Sequence, residues 1–406
     1  MDLMPILSTL RRHKTAAALI VLEIALSCAI VSNALHLISQ RMDSLQQQSG
    51  LVEAELLALD VAGITRSEDA DATSVRDLQA LRALPGVRGA ALVNQVPYGN
   101  NSSYSGVSTQ PGEAVAKEEA ATYIVGETAL EVMGLRLLEG RDFLPQEYQL
   151  QSKVEHDPEM AVPAAIINRA LAQKLFPGQS ALGKAIYIFG DKPQTVVGVV
   201  ERLQPPHPKS GTALKEQAAF LIPVRPSFAS GSYLLRVDPA RRSELLKQAV
   251  GTIEQVDGRR IINRKQTLSE MREAYFAPDK AMVGLLAGVC VALLVVTAFG
   301  IVGLASFWVQ QRSRMIGTRR ALGATRGQIL RYFQTENLLL SLLGIALGML
   351  GAYALSLLLM QSYEMPRLPW SYLPIGAALL ILLGQLAVLA PARRAAALPP
   401  VAALRM

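Results

Sequence analysis

The sequence predicts a membrane protein with an α-helical region of four transmembrane spans and one large mixed α/β extracytoplasmic domain. Half of the 406 residues are hydrophobic and only 18% are charged, which gives a positive mean hydropathy of +0.26. The apolar residues are concentrated in four blocks. Residues 39–280, between the first two blocks, have the composition of an ordinary globular domain. We therefore expect this domain to be inserted after the first span.

The four apolar blocks are long enough to cross a bilayer. A helix needs about 20 residues to cover a hydrocarbon core of ~30 Å. Buried helices of a soluble core are a poor alternative because they are usually shorter. The first block is also too long for the apolar part of a signal peptide, so an uncleaved anchor fits better. The predicted spans are residues 15–38, 281–309, 337–360 and 373–390.

The distribution of basic residues predicts the orientation. Residues 1–14, 310–336 and 391–406 together contain 12 basic and 2 acidic residues, whereas residues 39–280 contain 27 and 29. By the positive-inside rule, these three basic segments lie in the cytoplasm. Residues 39–280 and the short loop 361–372 then lie outside. Since the pI of about 9.4 reflects this topology, no nucleic-acid partner is expected.

The N-terminal segment, residues 1–14, is predicted to form an amphipathic helix along the inner membrane face. Met4, Ile6, Leu7 and Leu10 provide its apolar face, and basic residues follow them. The lipid membrane is therefore an expected partner of this segment as well as of the spans.

Two similar strand–helix–strand units delimit the extracytoplasmic domain. The first has a strand at 56–61, a helix from an N-cap at Ser74 to Leu84, and a strand at 88–96. The second covers residues 233–263. Between them, helices are predicted at 127–133 and 168–176, and paired strands at 184–189 and 195–200. These patterns predict two subdomains, one inserted in the other: an outer one of residues 39–102 and 213–280, and an inserted one of residues 103–212.

No catalytic, metal or cofactor site is expected in this chain. Cys28 and Cys290 both lie in predicted spans, so the exterior domain has no disulfide framework. The run from Gly178 to Lys184 satisfies G-x-x-x-x-G-K, but Ala185 replaces the hydroxyl that binds magnesium in a P-loop. We interpret this run as a turn between a helix and a strand.

Four stretches carry a resemblance to a known family. The run 311–329, QRSRMIGTRRALGATRGQI, is similar to a basic loop with the pattern I-G-x-x-R-A-L-G-A. The tail 391–405, PARRAAALPPVAALR, is similar to a closing P-A-x-x-A-A pattern. The exterior segments 133–143, MGLRLLEGRDF, and 167–178, INRALAQKLFPG, have counterparts as well. Together these stretches resemble the MacB/FtsX-like family of ABC transporter permeases, without a fused ATPase domain.

The resemblance implies an inner-membrane permease of a bacterium, which works with a second permease copy, identical or paralogous, and with a dimer of ABC ATPase subunits. ATP and magnesium would be bound by the ATPase. Met315 departs from the family, which usually has an acid there. The residues that the resemblance assigns to coupling with the ATPase are Arg314, Met315, Ile316, Gly317, Arg319, Arg320, Ala321, Leu322 and Gly323.

Capping and packing residues are predicted around these segments. Thr325 and Gln328 form a capping box that begins the next helix. Glu23, the single acid within the predicted spans, is expected to contact a neighbouring helix rather than to carry protons or substrate. Gly-x-x-x-Gly spacing allows close approach of helices, and fits a tight dimer. The glycines with this spacing are Gly284, Gly288, Gly344 and Gly348.

The predicted function is transmission of ATP-driven motion to the periplasmic domain, for export of a periplasmic substrate with an adaptor protein and an outer-membrane channel. Four spans with few polar residues offer a poor path through the bilayer. Two alternatives remain at this stage: an FtsX-like regulator of a periplasmic hydrolase, and a permease that releases lipoproteins.

Overall fold

A computed structural model confirms the predicted fold class. The chain divides into two compact units. One consists of residues 44–278, and the other, which we call the membrane unit, consists of residues 1–43 and 279–406. Most of the predicted N-terminal amphipathic helix, the middle of the loop 361–372 and the end of the tail lie outside the described residues. The structure describes residues 14–63, 70–113, 116–157, 162–208, 217–229, 231–363 and 369–397.

Four long apolar helices contain the four predicted spans. Each helix continues beyond its apolar block. The longest has 44 residues and a length of about 66 Å, about twice the hydrocarbon thickness of a bilayer. The helices are α1 Lys14–Leu45, α7 Leu268–Gln311, α9 Arg326–Tyr363 and α10 Tyr372–Ala397, and the short helix α8 Ser313–Ala321 precedes α9.

The outer subdomain contains a four-stranded antiparallel sheet. Its strand order is β13-β1-β12-β2, so both halves of the split sequence contribute to it. Two helices pack together beside this sheet, around buried Leu81 and Leu245. The elements are β1 Leu56–Gly63, α2 Ala70–Arg82, β2 Val87–Val93, β12 Ser232–Val237, α6 Arg242–Val256 and β13 Arg260–Thr267.

Ser74 is not the N-cap of α2. The helix includes Ala70, so Ser74 lies in its second turn. Its hydroxyl donates to the Ala70 carbonyl (2.7 Å) and accepts from the Phe228 amide (2.8 Å). The prediction was wrong because the turn before Ser74 is polar and lacks the apolar spacing by which a helix is recognised. Ser74 instead connects α2 to the segment that precedes β12.

The inserted subdomain has a seven-stranded mixed sheet. The order β3-β4-β10-β7-β9-β5 forms its main path, and β8 pairs with β9. The strands of this sheet are β3 Tyr104–Val107, β4 Glu118–Ile124, β5 Leu137–Gly140, β7 Ala164–Asn168, β8 Ala185–Ile186, β9 Gln194–Val200 and β10 Ala219–Ile222. The remaining elements are helices α3 Ala129–Met133, α4 Gln151–His156 and α5 Arg169–Leu175, and the strand pair β6 Gln149–Leu150 and β11 Val224–Arg225.

The insertion ends later than predicted. Strand β10 lies between β4 and β7, so the inserted sheet extends to Ile222 rather than ending at residue 212. All four residues of β10 are buried, and a short apolar run of this kind carries no alternation that assigns it to a sheet. One hydrophobic core joins residues of both sheets, among them Ala58 of β1, Tyr123 of β4 and Ile166 of β7. The two subdomains are therefore packed together.

Candidate coupling segment and polar joint

Helix α8 has a well-defined end. The Ala324 amide donates to the Arg319 carbonyl (3.0 Å), and the Gly323 amide donates to the Arg320 carbonyl (3.1 Å). This pair of bonds is the Schellman motif, which requires a left-handed residue after the helix. Gly323 supplies it with φ +98°, a conformation that strains any side chain. The direction in which the chain leaves α8 is therefore fixed.

The next helix begins with a reciprocal pair of hydrogen bonds. The Thr325 amide donates to Gln328 Oε1 (2.9 Å), and the Gln328 amide donates to Thr325 Oγ1 (3.3 Å). Each side chain thus satisfies a backbone donor that the first turn of α9 leaves without an intrahelical partner. Only a few residues separate the two helices, so their connection is short and stabilised at both ends.

One face of α8 packs against α9. Ile316 is buried, together with Ile329 and Phe333 of α9. The Arg319 guanidinium lies over the Tyr332 ring, 5.0 Å from its centroid. A cavity of about 60 Å³ remains between the two helices, lined by Met315, Ile316, Arg319, Ala324, Gln328, Ile329, Tyr332 and Phe333. The two helices are therefore in direct side-chain contact.

Arg320 connects α8 to the end of α10. Its Nη1 donates to the Ala396 carbonyl at 2.6 Å. That carbonyl belongs to the last turn of α10, where carbonyl groups have no intrahelical donor. The other predicted coupling residues differ in exposure. Gly317 is buried and Met315 is half-buried, whereas Arg314, Ala321 and Leu322 are exposed.

A buried ion pair connects the junction of α7 and α8 to α9, at the start of the candidate coupling segment, residues 312–328. Arg312 Nη1 lies 2.9 and 2.8 Å from the two carboxylate oxygens of Glu336. The Arg312 residue is 7% exposed and Glu336 is 1% exposed. The guanidinium also lies 5.3 Å from the centre of the Trp308 ring. From the sequence alone, both residues were interpreted only as loop charges. A single acid among six arginines, directly before an apolar block, was the pattern that could have indicated the pair.

Two polar residues of α1, Glu23 and Ser27, face α7. The Glu23 carboxylate lies against Gly300, which leaves room for it because glycine has no side chain. One turn further, the Ser27 and Thr297 hydroxyls lie 2.7 Å apart and share a hydrogen bond. Polar groups between transmembrane helices generally favour helix association.

The four glycines predicted to pack helices fall into two groups. A Cβ at Gly348 would lie 2.6 Å from the Ala25 carbonyl oxygen and from Cys28 Cβ, and a Cβ at Gly344 would lie 2.9 Å from Ile24 Cβ. These two glycines therefore allow α9 to contact α1 within one chain. In the described part of the molecule, no atom lies within 4 Å of a Cβ at Gly284 or Gly288 on α7. These positions are available to lipid or to another chain.

Replacing Gly348 with alanine is expected to lower the thermal stability of the membrane unit. The added methyl group would clash with the backbone of α1, and such overpacking typically costs about 1–3 kcal/mol. Gly303→Ala on α7 is the matched control, since its methyl group meets no described atom within 4 Å. Thermal unfolding of the full chain in detergent should give a lower midpoint for Gly348→Ala than for the control variant. Equal midpoints for wild type and Gly348→Ala would contradict the close contact of α9 with α1.

A second polar cluster lies where the outer subdomain begins and ends. Arg272 of α7 donates through Nη1 to both Glu53 oxygens, at 2.9 and 3.1 Å. Its Nη2 donates to the carbonyls of Leu45 (2.9 Å) and Gln47 (2.5 Å). One side chain thereby holds the end of α1, the segment after it and the first turns of α7. We call Arg272, Glu53, Tyr98 and Gln204 the polar joint.

Tyr98 and Gln204 extend this joint to the inserted subdomain. The Tyr98 hydroxyl lies within hydrogen-bond distance of Glu53 Oε1 (3.0 Å) and Gln204 Oε1 (3.3 Å). Burial and the neighbouring Glu53 carboxylate raise the pKa of Tyr98 well above its usual value, so the phenol remains a donor. The Gln204 carbonyl accepts from the Tyr123 hydroxyl of β4 at 2.5 Å. This cluster was not predicted from the sequence, because its members are far apart in the chain.

The P-loop-like run forms a turn between α5 and β8. Gly178 and Gly183 both have positive φ, at +72° and +75°. A strand follows Lys184, whereas a P-loop leads into a helix whose N-terminus binds phosphate. The Lys184 ammonium lies 4.5 Å from the centre of the Phe176 ring. Within the described residues, no three His, Cys, Asp or Glu side chains are grouped to share a metal ion.

Comparison with known proteins assigns both regions of the chain to families. Residues 15–253 match the family described as MacB-like periplasmic core domain. Residues 287–400 match the family described as FtsX-like permease C-terminal. The first match includes α1 and most of the exterior domain, and the second includes most of α7 and the coupling segment.

Individual relatives are more distant. The macrolide export ATP-binding/permease protein MacB of Chromobacterium violaceum is 28% identical over 288 residues, 69% of this chain and 42% of that protein. This chain thus spans less than half the length of that relative. The uncharacterized ABC transporter permease YknZ of Bacillus subtilis is 26% identical over 69% of this chain and 68% of that protein. Among solved structures, the periplasmic region of MacB from Actinobacillus actinomycetemcomitans has a TM-score of 0.33 at 13% identity, covering 57% of this chain and 97% of that one.

Because the MacB-like match alone covers more than half of the sequence and the FtsX-like match continues it, the chain belongs to the MacB/FtsX-like family of ABC transporter permeases.

Proposed function

We propose that this chain is a permease subunit that transmits ATP-driven conformational change from a separate cytoplasmic ATPase to its periplasmic domain, for export of a periplasmic substrate. The observation that carries the proposal is that both ends of α8 are held in place by neighbouring residues. This short basic helix has a fixed end at Gly323 and packs on α9 through Ile316. The Arg312–Glu336 pair joins the start of α8 to α9.

The distribution of charge supports a cytoplasmic position for α8 and both termini. Arg314, Arg319, Arg326 and Arg331 are exposed on this segment, whereas Glu336, its one acid, is buried. Basic residues beside spans favour the cytoplasmic side. An ATPase that binds α8 would hydrolyse ATP with magnesium on its own residues.

Helix α7 is the element that would carry the motion outward. It begins at Leu268, directly after β13 of the outer subdomain, and it ends at Gln311, directly before α8. Arg272 lies in its second turn and connects it to the end of α1. ATP-driven closure of two ATPase subunits would displace α8, and α7 would pass this displacement to the polar joint.

A second permease copy fits the exposed side of α7. Gly284 and Gly288 lie on this helix, one turn apart, with no described atom within 4 Å of an added Cβ. Spacing of this kind permits close helix contact. Export is suggested by the name of the Chromobacterium violaceum relative, a macrolide export protein. Expulsion from the periplasmic side would use an adaptor protein and an outer-membrane channel.

The test is affinity purification of the tagged full chain from membranes in a mild detergent. We expect an ABC ATPase subunit to be recovered in an amount comparable to that of the permease. An adaptor in the same preparation would support export. A cell-wall hydrolase would instead indicate that the permease regulates that hydrolase. Recovery of the folded permease without any ATPase would overturn the proposal.

A further inference from the structure

Leu322 is the most exposed of the large hydrophobic side chains in the described part of the chain. It is 84% exposed and lies at the end of α8, directly before Gly323. Exposed leucines within the spans are explained by contact with lipid tails. Leu322 lies instead in the basic segment, with Arg319, Arg320 and Arg326 close to it in sequence.

The position of Leu322 is fixed by the backbone. Its amide donates to the Thr318 carbonyl at 3.0 Å, and the two Schellman bonds follow directly after it. A residue whose backbone is already fixed loses little backbone freedom when a partner covers its side chain. Leu322 therefore combines apolar surface with preorganisation, as residues at the centre of protein interfaces do.

The arginines nearest to Leu322 contact their own chain. The Arg320 guanidinium donates to the Ala396 carbonyl, and Arg319 lies over the Tyr332 ring. Both contacts hold α8 against the rest of the membrane unit. The family resemblance assigns these arginines to coupling, and in this structure both also hold α8 in position.

The exposed charge around Leu322 is of one sign. Arg314, Arg319, Arg326 and Arg331 are exposed, and Glu336 is buried in its ion pair. A partner surface that covers Leu322 and extends along α8 and the first turns of α9 would meet exposed guanidinium groups and no exposed carboxylate of this segment. Acidic side chains around an apolar pocket would match them, and charge of this kind mainly increases the association rate.

We propose that Leu322 is the apolar anchor by which the ATPase binds the permease, inserted in a leucine-sized pocket that is bordered by acidic residues. This inference rests on the proposed function, because it takes the ATPase as the partner. It adds the chemistry of the contact: one leucine, buried on binding, makes the largest single contribution to the affinity, and the exposed arginines of the segment supply orientation and association rate.

The test measures binding of the co-purified ATPase to the full-length permease in nanodiscs. Leu322→Ala is expected to weaken binding about 30-fold, the range of a central interface residue, and Leu322→Met to retain most of it. Thr318→Ala, an exposed position on the same helix, is the matched control. Raising the salt concentration should slow association of wild type and Leu322→Ala to the same degree. Because Leu322 is exposed, its truncation should leave thermal stability unchanged.

The outcomes separate the two proposals. Wild type that binds no ATPase would overturn the proposed function. Wild type and Leu322→Ala that bind equally well would overturn only the anchor. A Leu322→Cys variant with an environment-sensitive label, in a chain that also carries Cys28→Ala and Cys290→Ala, tests the lipid surface as the competing partner. Blue-shifted emission in nanodiscs without ATPase would place residue 322 in the headgroup region and overturn the anchor. A blue shift only on ATPase addition would support it.

Discussion

Replacing Glu336 with alanine is expected to destabilise the membrane unit by about 3–5 kcal/mol, because the substitution leaves the Arg312 guanidinium buried without its counter-charge. Arg312 is 7% exposed and donates from Nη1 to both Glu336 oxygens. Its Nε and Nη2 have no hydrogen-bond partner within the described structure. The Glu336 carboxylate is therefore the main group that stabilises the buried positive charge. The start of α8 should become mobile as a result.

Tryptophan fluorescence provides a local measurement of this effect. The chain has two tryptophans, and Trp308 lies beneath the Arg312 guanidinium. In a Trp370→Phe background, Glu336→Ala should lower the thermal midpoint of the Trp308 signal and shift its emission to the red. Arg314→Ala, an exposed arginine of α8, serves as control. The double variant Arg312→Met/Glu336→Leu should recover stability, since it removes both charges together. A midpoint unchanged by Glu336→Ala would contradict the buried pair.

Replacing Arg272 with alanine is expected to destabilise the exterior domain by about 3 kcal/mol. The substitution removes charged hydrogen bonds to Glu53 and to two backbone carbonyls, each worth roughly 1.5–3 kcal/mol, and leaves Glu53 poorly compensated. For a domain of this size, the unfolding midpoint should fall by about 6–12 °C. The matched control is Arg259→Ala, because Arg259 is an arginine of the same domain with an 87% exposed side chain.

Hydrogen exchange of the full chain should localise the effect of Arg272→Ala. Amides of residues 45–55 should exchange faster, since the end of α1 and the segment after it lose their connection to α7. The central strands of the inserted sheet, β7 and β9, should keep their protection. Uniform loss of protection, or none near residues 45–55, would contradict the role of Arg272 as a local connection.

The membrane spans and the nested organisation could be predicted because each depends on local composition and order. Apolar blocks of sufficient length with at most one charged residue are typical of spans, and two similar strand–helix–strand units around a different segment indicate an insertion. The limits of that insertion could not be predicted. Strand β10 has only four residues, and its membership in the inserted sheet depends on pairing with β4, about a hundred residues earlier.

The coupling segment was predicted in part. Gly323 and the Thr325–Gln328 box have local roles, which composition and spacing indicate. The partners of Arg312, Arg319 and Arg320 depend on which faces of α8, α9 and α10 meet, and no sequence pattern specifies that. The same holds for the glycines: identical spacing on α7 and α9 leads to an open surface in one case and contact with α1 in the other.

The most direct test of the account is whether ATP moves the exterior domain through this chain. A spin label at Ile261→Cys, an exposed position of β13, would report one distance between the two permease copies, in a chain that carries Cys28→Ala and Cys290→Ala. With the ATPase bound in nanodiscs, trapping with ATP and vanadate should shift the distance distribution in wild type. The shift should shrink in Arg272→Ala, while ATP hydrolysis continues. An unchanged distribution in wild type, in a complex that hydrolyses ATP, would contradict transmission by this permease.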